Sequence, residues 1–554
     1  MSRIFGRITY TLRARSAHPG RTGRAHFPMA SDDRKARLIR STAAVAAPTL
    51  VSRVLGYIRD LLQAYYLGTG NSADAFTIAF TIPNLFRRLT GEGAMTPAFV
   101  PTFTEIKRDR DRAALWAFGH AFFWDLALIM AVMTGLGILC APGLVKVIAY
   151  GFGDVAGKWG LTIFMTRVMF PYLFFITLAA LATGILNSFG RFFIPASTPI
   201  LFNIAVIAAV TGWARDARDP ALVFAVGVVL GGVLQLALQI PFLWKEGMRF
   251  TFGLSFRDPM VRRVGRLMVP GIFGASVYQV NFALSRMIAS GLERGSTSAL
   301  YYASRIEELT LGLFSIALAA ALLPAFSEHA AARDIGELKK TLSFSIKLTA
   351  VVSFPAAAGL MALNVPIMRT LFERGMFDRG STSISSSCLL FFALGLPFVS
   401  GVKVVAPAFF SLKDTRTPVA IGIAVMLVNT AASLLLMGPL RVGGLALSLS
   451  LSQVLNFVLL LLWLERKIGS TGAAGLAAPL AKSAAAAALM GTALRLAWPL
   501  LHVDGASFVI RAAALAGAIA AGIVIYLGLL RLISPADLKS VAGLLRRAAV
   551  KENR

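Results

Sequence analysis

The sequence predicts an all-α integral membrane protein with about fourteen transmembrane helices, arranged as two six-helix lobes in parallel repeat plus two C-terminal helices. An apolar composition, long uncharged blocks and an internal repeat support this prediction. Of the 554 residues, 56% are hydrophobic and 15% are charged, and the mean hydropathy is +0.71. Soluble domains contain about 25% charged residues, so the composition excludes an ordinary soluble protein.

Long uncharged blocks set the length of the predicted helices. Residues 173–186 and 224–244 contain no charged side chain. About 20 apolar residues cross the roughly 30 Å hydrocarbon core as a helix, and the Leu, Ala, Val and Gly content favours helices over barrel strands. The predicted spans are 40–67, 73–99, 114–141, 161–187, 194–213, 221–244, 264–291, 297–325, 343–371, 384–411, 418–437, 443–465, 475–500 and 507–531.

Basic residues concentrate in every second loop and in both terminal segments. The net charge is +28, which the positive-inside rule explains without a nucleic-acid partner. We therefore expect both termini in the cytoplasm, which requires an even number of spans. Residues 1–38 are predicted to be a basic, disordered leader, with Met29 as an alternative start.

An internal repeat divides the chain into two lobes. "VPTFTE" (100–105) recurs as "LPAFSE" (323–328), and Glu105 and Glu328 are 223 residues apart. Other landmarks keep nearly the same offset, so six helices form the unit and both copies share one orientation. The predicted parts are an N-lobe of 39–244, a C-lobe of 245–466, two further helices in 467–534 and a basic cytoplasmic tail of 535–554.

Ionisable residues inside spans mark the candidate site, because each costs at least about 2.5 kcal/mol at the bilayer centre. Arginines outnumber the carboxylates available to them in the first half, although Arg88–Glu92 and Arg305–Glu308 have the spacing of intrahelical pairs. A surplus of guanidinium groups suits an anionic ligand, above all a phosphate or diphosphate. Pro83 is expected to kink span two toward this cavity. The candidate cavity residues are Arg53, Arg59, Asp60, Asp74, Arg87, Arg88, Glu92 and Arg305.

No catalytic or metal centre is expected. The five histidines are scattered, Cys140 and Cys388 lie in apolar surroundings, and no Gly-rich phosphate loop precedes a Lys-Ser/Thr pair. The chain is therefore predicted to be a transporter and not an enzyme, without a bound cofactor. Its energy would come from the membrane potential, a monovalent ion gradient or the gradient of its substrate.

Four motifs together resemble the MurJ/MviN family of lipid II flippases, in the multidrug/oligosaccharidyl-lipid/polysaccharide exporter superfamily. They are "SRVLGYIRD" (52–60), "ADAFTIAFTIPNLFRRLTGEGAMTPAFVP" (73–101), "YYASRIEEL" (301–309) and "VKVVAPAFFSLKDTRTPV" (402–419). The resemblance extends from about residue 41 to the last span. It implies a two-lobed protein of the bacterial inner membrane. Such a protein moves lipid II, the undecaprenyl-diphosphate-linked peptidoglycan precursor, from the cytoplasmic to the periplasmic leaflet by alternating access.

The resemblance also implies roles for particular positions. Essential cavity residues of the family correspond to Arg53, Arg59, Asp60, Asp74, Arg87 and Arg305, while Arg88 and Glu92 match motif positions. Spans 13 and 14 match the family's groove for the lipid tail by position only. Ser304 stands where relatives often have Asp, which leaves Arg305 one local carboxylate fewer. Expected partners are lipid II, membrane lipids and the cell-wall synthesis machinery, and the sodium site of some relatives is not placed.

Other functions remain open on the residues alone. An exporter of a different polyprenyl-diphosphate-linked saccharide would share the repeat and the cationic cavity. A drug antiporter that handles cations should have acidic helices in the first half, where this chain has arginines. A membrane-embedded glycan polymerase would need a catalytic carboxylate in a large outward loop, whereas the outward loops here are short.

Overall fold

The computed structural model describes residues 31–313, 315–470, 473–503 and 505–535, and this part of the chain is helical throughout, without strands. Most of the predicted leader and nearly all of the predicted C-terminal tail lie outside these residues. The first helix already begins at Ser31, inside the segment expected to be disordered.

Seventeen α-helices can be numbered along the described residues. They are α1 (Ser31–Leu67), α2 (Asn71–Arg87), α3 (Thr96–Asp109), α4 (Arg112–Ile148), α5 (Lys158–Met169), α6 (Pro171–Ser188), α7 (Phe193–Trp213), α8 (Pro220–Glu246), α9 (Pro259–Ser290), α10 (Ser296–Leu313), α11 (Ser315–Ala331), α12 (Ile335–Ala362), α13 (Asn364–Phe372), α14 (Arg379–Ser411), α15 (Arg416–Ile468), α16 (Ala473–Ala497) and α17 (Phe508–Ile533). A π-helical segment (Arg88–Met95) joins α2 to α3, and short 3₁₀ turns occupy Tyr150–Asp154 and Trp498–Leu501.

The helices are consistent with fourteen spans. Spans two, four, eight and nine each contain two consecutive helices, whereas α15 contains both spans eleven and twelve. The chain reverses inside α15 at Arg441, where φ is 50° and ψ is −134°, two residues after Pro439. Within the described residues, nine helices or joined helices are long and apolar enough to cross a membrane.

The apolar surface faces outward, as a membrane requires. Leu139, Leu435 and Leu532 are 73%, 77% and 82% exposed, while Gln239, Ser448 and Thr177 are fully buried. A soluble protein seldom exposes so many large apolar side chains. In a bilayer they contact lipid, so the chain is a multi-pass membrane protein.

Loops gather at two opposite ends of the described structure, which we name outer and inner after the orientation that the basic residues predict. At one end, the amide of Met376 donates to the carbonyl of Tyr65 at 2.8 Å. We call this the outer end; it contains the loops at 68–70, 291–295 and 373–378. At the other, the inner end, Arg263 pairs with Glu105 at 3.0 Å and Lys467 with Asp414 at 2.6 Å.

Span two departs from the expected kink at Pro83. Helix α2 continues through Pro83 to Arg87, and the irregular part is the π-helical segment that follows it. A π-helix is rare and usually occurs as a short bulge at a functional site. Two glycines in this segment, Gly91 and Gly93, lower the helix propensity and help to explain the departure.

The outer end depends on close backbone approach between α1 and the loop after α13. A Cβ on Gly68, where φ is +56°, would lie 2.2 Å from the carbonyl oxygen of Met376. Gly157 also has positive φ, +76°, but a Cβ there would meet nothing within 4 Å. The two glycines therefore carry a similar conformational requirement but differ in their surroundings.

We expect Gly68→Ala to force the outer end apart, while Gly157→Ala carries only the cost of a left-handed alanine, about 1–2 kcal/mol. Labelling of Thr69→Cys by a membrane-impermeant maleimide, in a Cys140→Ser background, measures the opening. Faster labelling with Gly68→Ala and unchanged labelling with Gly157→Ala is the expected result. Equal labelling rates in the two variants would show that the contact at Met376 does not hold this end closed.

Candidate functional site

A cavity of about 770 Å³ lies between α1 and helices of the second half of the chain. Among the described residues, five basic and three acidic side chains line it. They are Arg53, Arg59, Arg88, Arg305 and Lys403, with Asp60, Glu307 and Glu308. The cavity therefore carries excess positive charge, and of its three acidic residues only Asp60 belongs to the predicted set.

Asp60 is the point at which the two halves meet inside the cavity. Its Oδ1 accepts hydrogen bonds from Arg59 Nη2 at 2.8 Å and from the Tyr301 hydroxyl at 2.9 Å. Arg305 Nε lies 3.8 Å from Oδ2. Asp60 is only 4% exposed, and a buried carboxylate is stable only when it is paired and hydrogen-bonded in this way.

Arg59 is held in place from a second side. Its Nη1 donates to Asn203 Oδ1 at 3.1 Å, and Asn203 Nδ2 donates in turn to the carbonyl of Ser52 at 3.0 Å. The guanidinium also lies 5.6 Å from the ring centroid of Phe202. Arg59 is thus oriented by α7 before any ligand arrives.

Arg305 has local pairing despite Ser304. Its Nη1 donates to Glu308 at 2.6 Å, as the i,i+3 spacing predicts, and its guanidinium lies 4.7 Å from the Tyr301 ring centroid. Ser304 therefore does not leave Arg305 without a carboxylate partner. Glu308 and Asp60 supply the carboxylates, and Ser304 donates to the carbonyl of Tyr301 at 2.8 Å.

Arg53 and Arg88 line the same cavity but form no ion pair with any described carboxylate. Arg53 lies against α10, since a Cβ on Gly312 would be 2.5 Å from its Nη1. Arg88 is the first residue of the π-helical segment. The side chain of Glu92, its predicted partner, lies outside the described part of the structure. These two guanidinium groups account for the uncompensated charge of the site.

Asp74 lies at the outer end and is not among the residues that line the cavity. Its Oδ2 pairs with Lys158 Nζ at 2.8 Å and accepts from the amide of Gly295, also at 2.8 Å. Its Oδ1 accepts from the hydroxyl of Thr297 at 2.6 Å and from the amide of Ser298 at 2.9 Å. Asp74 therefore caps the first turn of α10 from the other half of the chain.

This contact falls on symmetry-related positions. Asp74 and Thr297 are 223 residues apart, the offset of the sequence repeat, and each lies near the start of an equivalent span. A contact between equivalent positions is what a two-fold pseudo-axis through the outer end produces. The carboxylate of Asp74, 1% exposed, is fully used there and does not neutralise cavity arginines.

Arg87 also lies away from the cavity lining. Its Nε donates to Asn84 Oδ1 at 2.9 Å, and the side chain is half-buried. Of the eight predicted residues, the structure brings together Arg53, Arg59, Asp60, Arg88 and Arg305. Their roles in binding remain predictions.

Three polar contacts were missed from the sequence. Tyr301 was visible within its motif, but nothing marked its hydroxyl as the partner of Asp60. Asn203 appeared as a lone amide in an apolar span, and Lys158 appeared as a loop base, although it is 5% exposed. Each contact depends on a partner distant in sequence, and a single sequence does not reveal such partners.

No group of three or more His, Cys, Asp and Glu side chains close enough to hold a metal occurs in the part of the chain that the structure describes. Cys140 is exposed on the apolar surface and Cys388 is buried, and both are free thiols. The polar chemistry of the cavity thus comes from guanidinium, carboxylate, amide and hydroxyl groups.

Comparison with known proteins identifies the family. Residues 63–512 match the sequence profile described as lipid II flippase MurJ. The chain belongs to the MurJ family. A probable lipid II flippase MurJ from Vibrio cholerae serotype O1 is 37% identical over 438 residues, which cover 76% of this chain and 82% of the relative. The family is one of flippases, a class of membrane transporter.

Solved structures agree with the family assignment. A structure described as lipid II flippase MurJ in an inward closed conformation has a TM-score of 0.73 and 25% identity, covering 88% of this chain and 98% of its own. An inward-facing multidrug resistance MATE family transporter has a TM-score of 0.65 at 14% identity, covering 76% and 96%. The second likeness shows the shared fold alone.

We expect Asp74→Asn to destabilise this MurJ-family protein strongly, because Lys158 is left buried without a counter-charge, at a cost of about 3–5 kcal/mol. The double variant Asp74→Asn/Lys158→Met should recover part of the loss. Thermal unfolding of the purified protein in detergent measures both. Asp109→Asn, which removes an exposed partner of Arg108, is the control and should change the melting temperature little. A double variant no more stable than Asp74→Asn would contradict the pairing argument.

Proposed function

We propose that this chain moves lipid II from the cytoplasmic to the periplasmic leaflet of the inner membrane. Its relatives are named lipid II flippases. The observation that supports this proposal is that two guanidinium groups of the cavity, those of Arg53 and Arg88, form no ion pair with a described carboxylate. A diphosphate supplies the missing negative charge, and arginine binds phosphate oxygens bidentately.

Asp60 links ligand binding to the arrangement of the two halves. The Arg305–Asp60 contact is long, at 3.8 Å, whereas the Arg59–Asp60 contact is short, at 2.8 Å. A diphosphate that enters the cavity competes with Asp60 for Arg305 first. Because Arg305 and Asp60 belong to opposite halves, this exchange loosens a contact between them and couples binding to movement.

The outer end supplies the second part of the mechanism. Asp74 on α2 and Tyr65 on α1 both bind backbone groups of the second half there. With that end closed, the headgroup enters from the inner end, which the basic loops place in the cytoplasm together with both termini. Release requires the contacts of Asp74 to break while those at the inner end form, which is alternating access.

The remaining parts of the proposal concern energy, the lipid tail and partners. An anionic headgroup moving outward is favoured by an inside-negative potential, by about 2.3 kcal/mol per charge per 100 mV, so transport depends on the membrane potential or on a monovalent ion gradient. Helices α16 and α17 expose Leu496 and Val524 and form a surface for the polyprenyl tail. The product serves the cell-wall synthesis machinery in the outer leaflet.

We expect Arg53→Ala to abolish transport while the protein still inserts, and Arg53→Lys to retain part of it, because a lysine keeps the charge but loses the bidentate geometry. Arg263→Ala, at the inner end and half-exposed beside Glu105, is the matched control and should transport normally. Complementation of a flippase-depleted strain, with a leaflet-specific assay of lipid II, measures the effect.

The same depletion experiment separates the alternatives. Accumulation of lipid II in the inner leaflet supports the proposal, whereas a different lipid-linked saccharide there indicates another exporter. Accumulation in the outer leaflet indicates a polymerase. Full complementation by Arg53→Ala would falsify the role of the cavity.

A further inference from the structure

Two arginines lie close together at the outer end, outside the central cavity. Arg374 follows α13, and its guanidinium carbon lies 4.0 Å from the ring centroid of Phe508, the first residue of α17. Arg511 lies one turn further along α17. The contact therefore brings the loop at 373–378 against the beginning of the last helix.

Both arginines have unused hydrogen-bonding capacity. Arg374 Nη2 donates to the carbonyl of Thr370 at 2.8 Å, but its Nε is buried without a partner, and so is the Nε of Arg511. Leaving a buried donor unsatisfied is unfavourable. Two such donors on neighbouring cations remain available to an acceptor.

The charge of the pair is not balanced by the described carboxylates around it. Glu373 accepts from Thr382 at 2.6 Å and pairs with Arg369 at 3.3 Å. Asp378 accepts from the amide of Ser381, a bond that lowers the pKa of Asp378. Burial and the nearby Arg511 guanidinium lower the pKa of Arg374, so the two cations disfavour each other.

The N-terminus of α17 adds further positive potential. Ser507 precedes this helix but makes no side-chain capping hydrogen bond. The first amide groups of a helix have no acceptor within it, and they favour an anion. The end of α17 and the two guanidinium groups thus provide donors to one region.

The surroundings place this region at a membrane boundary. Leu500, Phe508 and Val509 are 74%, 44% and 71% exposed, and aromatic and apolar residues at the end of a span lie at the level of lipid headgroups. The rule that puts basic residues at the inner end does not account for two arginines here.

We propose that Arg374, Arg511 and the first turn of α17 form a binding site for the phosphate group of a lipid in the outer leaflet. A phosphate provides several acceptor oxygens that can receive both Nε donors and the free amides. The same chemistry fits an anionic phospholipid and the diphosphate of a polyprenyl lipid.

The site lies beside the central cavity. Tyr57, which lines the cavity, stacks edge-on against Phe372, with ring centroids 6.3 Å apart, and Phe372 is two residues before Arg374. A polyprenyl diphosphate leaving the cavity would meet this site next, an assignment that rests on the proposed function. Binding of an anionic phospholipid does not depend on the proposed function.

The test measures lipid binding to the purified full chain by native mass spectrometry and by thermal shift. The probes are phosphatidylglycerol, undecaprenyl diphosphate and inorganic diphosphate, each added to the protein in phosphatidylcholine nanodiscs. We expect Arg374→Gln and Arg511→Gln each to weaken binding of at least one lipid probe by about tenfold. In phosphatidylcholine alone, either substitution should leave the melting temperature equal or higher, because it relieves repulsion.

Two controls make the outcome decisive. Arg531→Gln removes an arginine from the opposite end of α17 and should not change binding, and Arg53→Ala should leave phosphatidylglycerol binding intact even where cavity binding of undecaprenyl diphosphate is lost. Unchanged lipid binding in the double variant Arg374→Gln/Arg511→Gln overturns the proposal. Equal binding of inorganic diphosphate overturns the assignment to a lipid, and a lower melting temperature in phosphatidylcholine indicates a structural role instead.

Discussion

One buried carboxylate holds the two halves of this protein in their present arrangement. Asp74 pairs with Lys158 in its own half and receives hydrogen bonds from Gly295, Thr297 and Ser298 at the start of α10. Both charges are almost wholly excluded from solvent, so neither can be lost alone without a large cost. Cavity geometry, closure of the outer end and the approach of α1 to α13 all depend on this contact.

The repeat gives the backbone approximate symmetry, but the charges do not follow it. Arginines concentrate in the first half at Arg53, Arg59 and Arg88, and the second half contributes Arg305 with two glutamates beside it. Symmetric halves suit movement between two states, whereas an asymmetric cavity binds a headgroup in one orientation. The two properties come from different features of one sequence.

The sequence was sufficient for the membrane class, for helices consistent with fourteen spans and for five of the eight charged residues that line the cavity. Hydropathy locates spans because the bilayer imposes one length on all of them. Asp74 was assigned to the cavity because its partner Lys158, which neutralises it, lies 84 residues away in the sequence. The kink expected at Pro83 does not occur there, and the irregular part of span two is the π-helical segment that follows. A proline is tolerated within a transmembrane helix where neighbouring groups bind the backbone group that it frees. Local sequence patterns do not encode contacts between distant elements.

The π-helical segment has a consequence for how span two serves two surroundings at once. Arg88 and Phe99 lie eleven positions apart, so on an uninterrupted α-helix, at about 3.6 residues per turn, they would share a face. In the structure Arg88 lines the cavity, while Phe99 is fully buried among Phe103, Phe118 and Phe122. The wider turns between them rotate the second part of the span relative to the first. One continuous span can thereby present a solvated, charged face and a buried, aromatic face in directions that a regular helix could not combine.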